Sequence, residues 1–272
     1  MGENEDYLLG TRHEELIRLA FQHRVWAEES FSLWARAGFA YGQTLLDLGC
    51  GPGFTSLDLA HLVGPQGRIV AVDSSPSFLD HLTCQGKAQG QKNIDTRLLD
   101  VHDLDLPESS LDGAYARWLF CFIRDPEDVV ARVARALRPG AALAVTDYFN
   151  YRAFTFGPRS DAVDRVVEVV EGSWKLQGGD LGIQGRMPGL MARHGLEPVH
   201  VHCHAQVARP GSPKWQWPAT FFEGFLPTLK AKGFLSAEEI QAFWEDWKAR
   251  SEDSSSFLCL PPMYDVIGVK RP

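Results

Sequence analysis

The sequence predicts an α/β protein built on a largely parallel sheet with a ligand crevice at the strand ends, and three observations carry that prediction. Short apolar runs of strand length alternate with stretches of helix length between residues 44 and 146. The first run, Thr44-Leu45-Leu46-Asp47-Leu48, ends on the glycine-rich stretch Gly49-Cys50-Gly51-Pro52-Gly53. Acidic residues stand at the ends of the first three runs, as Asp47, Asp73 and Asp100. Such alternation gives parallel strands joined by right-handed crossovers. Sheets of this kind bind ligands beyond the carboxyl ends of their strands.

The elements follow in order. From Glu14 to Gly38, apolar residues such as Leu16, Leu19, Trp26, Leu33 and Trp34 recur at three- and four-residue steps, which predicts two successive amphipathic helices. After the strand at Thr44, a helix runs from Phe54 to Leu62 and stops at Gly64-Pro65. A strand from Arg68 to Val72, a helix from Ser75 to Cys84 and a strand from Thr96 to Leu99 repeat the pattern. A strand from Gly113 to Phe120, a helix from Pro126 to Leu137 and a strand from Ala142 to Thr146, set off by Pro139-Gly140, complete it. Beyond Asn150 the rhythm changes. Asp161 to Trp174 reads as a long helix, Leu190 to His194 as the end of another, and Pro198 to Val207 as a strand. Pro210 to Pro218 is rich in Pro and Trp, Phe221 to Leu229 and Ala237 to Arg250 read as helices, and Tyr264 to Val269 as a closing strand.

Composition narrows the function classes. With 44% hydrophobic and 23% charged residues the 272-residue chain can bury a full core. A net charge of -8 argues against a nucleic-acid partner, which calls for a basic surface. The start, MGENEDYLLGTRHEE, has no hydrophobic signal core and no run of about 18 apolar residues follows, so a cytoplasmic protein with no membrane partner is expected. Five scattered cysteines (Cys50, Cys84, Cys121, Cys203, Cys259) form neither a zinc pattern nor a disulfide framework, and reduced thiols are expected. The oligomeric state is not set by any of these features.

The glycine turn gains meaning from its neighbours. Glycine permits positive φ and close approach of a ligand to the main chain. Asp73 follows Gly53 by twenty residues, where nucleoside-binding folds place the carboxylate that accepts the ribose hydroxyls. Asp47, Asp73 and Asp100 together predict a negative crevice that suits a cationic nucleoside and repels a pyrophosphate. NAD carries that pyrophosphate and favours Gly-x-Gly-x-x-Gly, whereas Gly49, Gly51 and Gly53 stand at every second position. S-adenosylmethionine, with its positive sulfonium and ammonium, fits better.

LLDLGCGPG, VAVDSSPSFL, RLLDVHDLDLP, LDGAYARWLFCFIRDP and RALRPGAALAVTDY stand in register from about Thr44 to Tyr148. On these motifs the chain resembles the class I, Rossmann-like S-adenosylmethionine-dependent methyltransferases, especially the small-molecule group that includes the ubiquinone and menaquinone biosynthesis enzymes. The resemblance implies a seven-stranded, mostly parallel sheet with an antiparallel last strand and a helical cap. It divides the chain into a helical cover (1–41), a cofactor-binding core (42–150), and cap insertions with C-terminal antiparallel strands (151–272).

The resemblance also implies residue roles. Asp47 and the turn Gly49, Cys50, Gly51 and Gly53 lie by the methionine part of the donor, and Asp73 binds the ribose. Ser74 and Phe78 border the adenine, with Phe78 where the family often has Met. Asp100 accepts from the adenine amino group, the Val101 backbone reaches a ring nitrogen, and Ala116 and Arg117 lie near the methionine carboxylate. Tyr7 and Gln22, on the N-terminal cover with His23 and Trp26, touch the donor. Many relatives carry a histidine pair beyond the fourth strand; here Cys121 and Phe122 stand there, which excludes a histidine base at that place. The tetrapeptide of nucleobase-methylating relatives is replaced by Ala116-Arg117-Trp118-Leu119.

For the acceptor, Trp118, Asp147, Tyr148, Tyr151 and Trp217 are the candidates, because they follow strand ends or sit in the aromatic stretch Trp215, Trp217, Phe221, Phe222 and Phe225. Trp174 and Met187 are further contributors from the cap. An apolar or aromatic small-molecule acceptor is expected. No catalytic residue can be named, since an amine acceptor needs no base. His200, His202 and His204 alternate on one face of a strand; without a nearby acidic ligand they read as a polar edge, and no metal is expected. Two other readings remain: a non-methylating S-adenosylmethionine binder, such as a cofactor-assisted cyclase or regulator, and a nicotinamide-dependent oxidoreductase.

Overall fold

In the computed structural model, residues 13–271 are described. Two amphipathic helices, α1 (His13–Val25) and α2 (Ala27–Arg36), precede the first strand. The core then alternates β1 (Thr44–Leu48), α3 (Phe54–Val63), β2 (Arg68–Asp73), α4 (Pro76–Ala88), β3 (Ile94–Leu98), β4 (Leu111–Arg117), α5 (Pro126–Ala136) and β5 (Leu137–Tyr148). The remainder comprises β6 (Thr155–Gly157), α6 (Asp161–Leu176), α7 (Met187–Arg193), β7 (Leu196–His204), β8 (Val207–Ala208), α8 (Pro213–Ala231), α9 (Ala237–Glu252), β9 (Phe257–Cys259) and β10 (Met263–Lys270).

The main sheet has seven strands in the order β3-β2-β1-β4-β5-β10-β7. Strands β1 to β5 pair in parallel, and β10 runs antiparallel to both neighbours, β5 and β7. The order reverses at β1, between β2 and β4, which opens the crevice where doubly wound sheets bind ligands. Leu45, Ile69, Ala71, Tyr115 and Ala144 enter one core and Leu46, Val70, Val72, Ala114, Ala116 and Val145 the other, the two-residue period of strands covered on both faces.

Four elements depart from the sequence expectations. Strand β4 stops at Arg117, short of Phe120, because Trp118 turns to φ 50°. Strand β5 begins at Leu137, which pairs with Leu111; the register then shifts to pair Gly113 with Ala142, and Arg138 to Ala141 form the irregularity. The strand expected to reach Val207 ends at His204, and Val207–Ala208 instead joins β9 and β6 in a separate three-stranded sheet. The Pro- and Trp-rich stretch is the start of α8. Pro213 takes the first helical turn, where its missing N–H is tolerated, and the Ser212 hydroxyl accepts from the Trp215 N–H at 3.2 Å. An interior Pro218, usually a stop signal, is held there by burial.

Aromatic side chains of the C-terminal part split between two tasks. Phe154, Phe156, Trp215, Phe222, Phe243 and Trp247 stack on one another in the core under α8 and α9. Trp217 and Phe221 instead face the crevice. Helix α8 also packs on α1, so the cap and the N-terminal helices close over the same end of the sheet.

Candidate functional site

One cavity of about 830 Å³ lies over the carboxyl ends of β1, β2 and β4. Its polar half is made by the strand ends. Gly49, Cys50 and Gly51 form the wall after β1, and Asp47, 2% exposed, sits at its base. The Asp47 carboxylate accepts from the Ser56 hydroxyl at 2.6 Å. Burial pushes its pKa up to about 6, against the opposing effects of Ser56 and the nearby Arg117 charge.

Asp73 organises the turn as well as lining it. Its Oδ2 accepts from the Gly51 N–H and its Oδ1 from the Ser75 N–H, each at 2.8 Å, so one carboxylate ties the β1 turn to the start of α4. Burial raises its pKa too, with those amides pulling the other way. Exposed Ser74 and buried Phe78 line the next stretch, Phe78 being placed by the Ser75 cap on its backbone N–H. Asp100 lies beyond β3, exposed at the rim, where the backbone and ring of His102 lower its pKa. Val101 lines the cavity beside it.

Arg117 closes the polar half from β4. Its guanidinium donates to Ser30 Oγ (2.7 Å), Thr55 Oγ1 (3.1 Å) and His23 Nδ1 (3.0 Å), and lies 4.9 Å over the Trp118 ring. One cation thereby fastens α1, α2 and α3 to the end of β4. Gln22 lines the cavity, with its Oε1 accepting from Arg18 at 3.1 Å and from Trp217 Nε1 at 2.9 Å. The crevice is therefore not uniformly negative, since Arg18 and Arg117 face the same space as the carboxylates.

Aromatic and aliphatic side chains make the other half. Trp118, Phe122, Tyr148, Tyr151, Trp174 and Trp217 line it, and Trp118 and Trp217 stack with centroids 5.9 Å apart. Trp26 backs that pair edge-on at 5.0 Å from Trp217 and is itself buried.

Several expected site residues lie elsewhere. Tyr7 is outside the described residues. Gly53 and Ala116 are buried off the cavity: Gly53 packs against Leu82 at the start of α3, and Ala116 is sealed in the centre of the sheet. Asp147 is off the cavity as well. It is fully buried, its carboxylate accepts from the Cys121 and Tyr148 N–H groups at 3.0 and 2.8 Å, and burial pushes its pKa up to about 7. Met187 is likewise in the core. Its expected partner Trp174 does line the cavity. His204 lies 2.6 Å from Asp265, so an acid does stand beside the histidine stripe, contrary to the expectation. Among the described residues no group of three or more His, Cys, Asp or Glu could hold a metal. The five cysteines are unpaired, and no described helix is long and apolar enough to cross a membrane.

Sequence reasoning missed Arg18, Thr55, Phe122 and Phe154. Thr55, two residues after Gly53 in the first turn of α3, could have been found from its position; Arg18 and Phe154 reach the site only through tertiary packing.

A pH dependence follows from Asp47. Its carboxyl loses its proton near pH 6, so a cationic ligand is expected to bind about tenfold more tightly at pH 7 than at pH 5, levelling off above. Calorimetric titration of S-adenosylmethionine across that range checks it; a flat profile would remove Asp47 from the account.

Part of the chain is similar to known proteins. Residues 46–145 match the family model described as a methyltransferase domain. The chain is 33% identical over 130 residues to a 2-phytyl-1,4-naphtoquinone methyltransferase from Nostoc sp., covering 47% of this chain and 55% of that protein. It is 30% identical over 115 residues to the aklanonic acid methyltransferase DauC from Streptomyces sp., covering 42% and 52%. The matched stretch spans from under a third to about half the length of the curated relatives. Among solved structures, the YcgJ protein from Bacillus subtilis superposes with a TM-score of 0.62 at 16% identity, over 90% of this chain and 99% of that one. By this match residues 46–145 carry a methyltransferase domain, set in a sheet with the Rossmann-like strand order.

Proposed function

We propose that the chain transfers a methyl group from S-adenosylmethionine to a small, largely apolar organic acceptor and releases S-adenosylhomocysteine. The observation that carries this reading is the single cavity in which a carboxylate-lined half at the strand ends runs directly into an aromatic half. Buried Asp47 and half-buried Asp73 suit a positively charged nucleoside and oppose a pyrophosphate, which disfavours a nicotinamide cofactor. Space above Gly51 is open, so a ligand can lie against the turn.

Residues 42–150 supply the donor half in this reading, residues 1–41 the cover and residues 151–272 the acceptor wall and the strands that complete the sheet. Asp73 holds the ribose, Phe78 and Ser74 border the adenine beside Asp100 and Val101, and Asp47, Gly49, Cys50, Gly51 and Arg117 surround the amino-acid end. The donor, when bound, supplies a methyl group on an already activated carbon. Alignment and exclusion of water then contribute most of the rate. Trp118 and Trp217, stacked at the junction of the two halves, fix the acceptor's plane, and the bond from Trp217 to Gln22 ties α8 to α1 over it.

Incubation with S-adenosylmethionine and a panel of flat apolar acceptors, reading S-adenosylhomocysteine release, tests the reading. Binding of the donor with no turnover on any acceptor would favour a non-methylating protein. Trp217→Phe, which keeps a ring but removes the N–H bond to Gln22, is expected to raise the acceptor KM about tenfold and leave donor Kd within about twofold. Equal losses of both would assign Trp217 to holding the cover.

A further inference from the structure

The aromatic half of the cavity holds two hydroxyls with no role in the fold. Tyr148 ends β5 and Tyr151 follows the turn at Asn150, whose φ of 61° reverses the chain. Both side chains line the cavity, and their rings meet edge-on at 5.2 Å. Among the described residues no protein group hydrogen-bonds either hydroxyl. Tyr115, buried nearby in the sheet, donates its hydroxyl to Ser30 instead. The cavity indoles differ in the same way. Trp118 Nε1 donates to Met263 Sδ and Trp217 Nε1 to Gln22, while Trp174 Nε1 is buried without a partner. The Trp174 N–H is a buried donor left unmatched, which costs about 1–3 kcal/mol, and the two tyrosine hydroxyls belong to side chains that line the cavity, where pockets use such groups to orient a ligand.

Among the described residues this half also lacks a base. Among the described residues, the titratable groups on its wall are Tyr148, Tyr151, Arg124 and, beside Tyr148, Arg18. The carboxylate of Asp147 lies behind the wall, and His102 belongs to the polar half, paired with Asp100. Burial pushes both tyrosines above the usual phenol range, Tyr148 further raised by the closeness of Tyr151, so they stay protonated and act as donors. The Arg18 charge opposes that rise at Tyr148, with its guanidinium held in an ion pair by Glu15 at 2.7 Å.

We propose that the Tyr148 and Tyr151 hydroxyls are a pair of hydrogen-bond donors to one acceptor oxygen, and that the acceptor class is a flat, largely apolar ring compound with an acidic hydroxyl, bound as its phenolate or enolate. This rests on the methyl-transfer reading above. The acceptor's proton leaves to solvent before binding. Its conjugated anion then supplies the electron pair for the new bond to the methyl carbon, the carbon–sulfur bond breaks with its pair on sulfur, and both products are neutral at the reacting atoms. Two neutral donors with no base select acceptors by their acidity, and charge-assisted hydrogen bonds of this kind are the strong ones.

The test uses 4-nitrophenol, whose phenolate is coloured, titrated with pH on protein saturated with S-adenosylhomocysteine. Calorimetry in parallel records S-adenosylhomocysteine affinity for each variant. The bound probe is expected to ionise about one pH unit lower than the free probe. Tyr148→Phe and Tyr151→Phe should each shrink that difference and the double variant remove it, with S-adenosylhomocysteine affinity held within about twofold. Saturable binding with ionisation unchanged or raised, a difference that survives in the double variant, or no saturable binding to the loaded wild type would overturn the proposal while leaving the donor reading intact. Absence of S-adenosylhomocysteine binding would overturn both.

Discussion

Asp73→Asn is expected to weaken S-adenosylhomocysteine binding by about two orders of magnitude while leaving a folded protein. The two Asp73 oxygens accept from the N–H groups of Gly51 and Ser75, each at 2.8 Å. An amide offers one acceptor, so its NH2 must face one of these N–H donors. Either the β1 turn or the α4 start then loses its anchor. A hydrogen bond to a charged group contributes about 1.5–3 kcal/mol, and loss of the ribose partner adds to it; about 2.7 kcal/mol corresponds to a hundredfold in Kd. Asp73→Ala should behave similarly, because the turn is left unpinned in both. Calorimetric titration alongside a thermal melt separates the effects. A change below threefold in Kd would show that Asp73 neither shapes the turn nor meets the ligand.

Gly53→Ala and Gly51→Ala are expected to fail in opposite ways, although the two residues are nearly adjacent. Both have positive φ, 84° and 54°, which costs a residue with a Cβ about 1–2 kcal/mol. At Gly53 the new Cβ would stand 2.3 Å from Leu82 Cδ1 and 2.7 Å from its Cβ and Cγ, and Leu82 is fully buried. Helices α3 and α4 must separate to admit it, for a total of about 3 kcal/mol or more and a melting temperature roughly 6–12 °C lower. At Gly51 no atom lies within 4 Å, so the methyl group projects into open space beside the cavity. That variant should melt only a few degrees lower and lose more than tenfold in S-adenosylhomocysteine affinity. The reverse pattern, a stable Gly53→Ala and an unstable Gly51→Ala, would contradict the assignment of one glycine to packing and the other to the ligand.

These glycines also show what a sequence can and cannot reveal. Gly49, Gly51 and Gly53 look equivalent in LLDLGCGPG, and only the position of Leu82, twenty-nine residues on from Gly53, separates their tasks. The parallel core was legible because β1, β2 and β4 are apolar runs of five to seven residues closed by turn residues. The small sheet was not, since β6, β8 and β9 are two or three residues long, too short for a period. Helix α8 was half-hidden because Pro213 and Pro218 read as breakers until the Ser212 cap is known.

Asp47, Asp73 and Asp147 all stand at strand ends, and sequence position cannot distinguish them. Asp147 was expected to meet the acceptor, yet the Cys121 N–H and the turn above it close over its carboxylate. Tyr148, the next residue, points the other way along the pleat and reaches the cavity. The aromatic half is assembled from Trp118, Trp174 and Trp217, which meet only after α6 and α8 fold over the sheet.

The measurement closest to the central claim is a calorimetric titration of the wild-type chain with S-adenosylhomocysteine, with NADH as the comparison ligand. The account predicts saturable one-to-one binding of S-adenosylhomocysteine, weakened by Asp73→Asn, and no binding of NADH. Saturation by NADH with no heat from S-adenosylhomocysteine would contradict it.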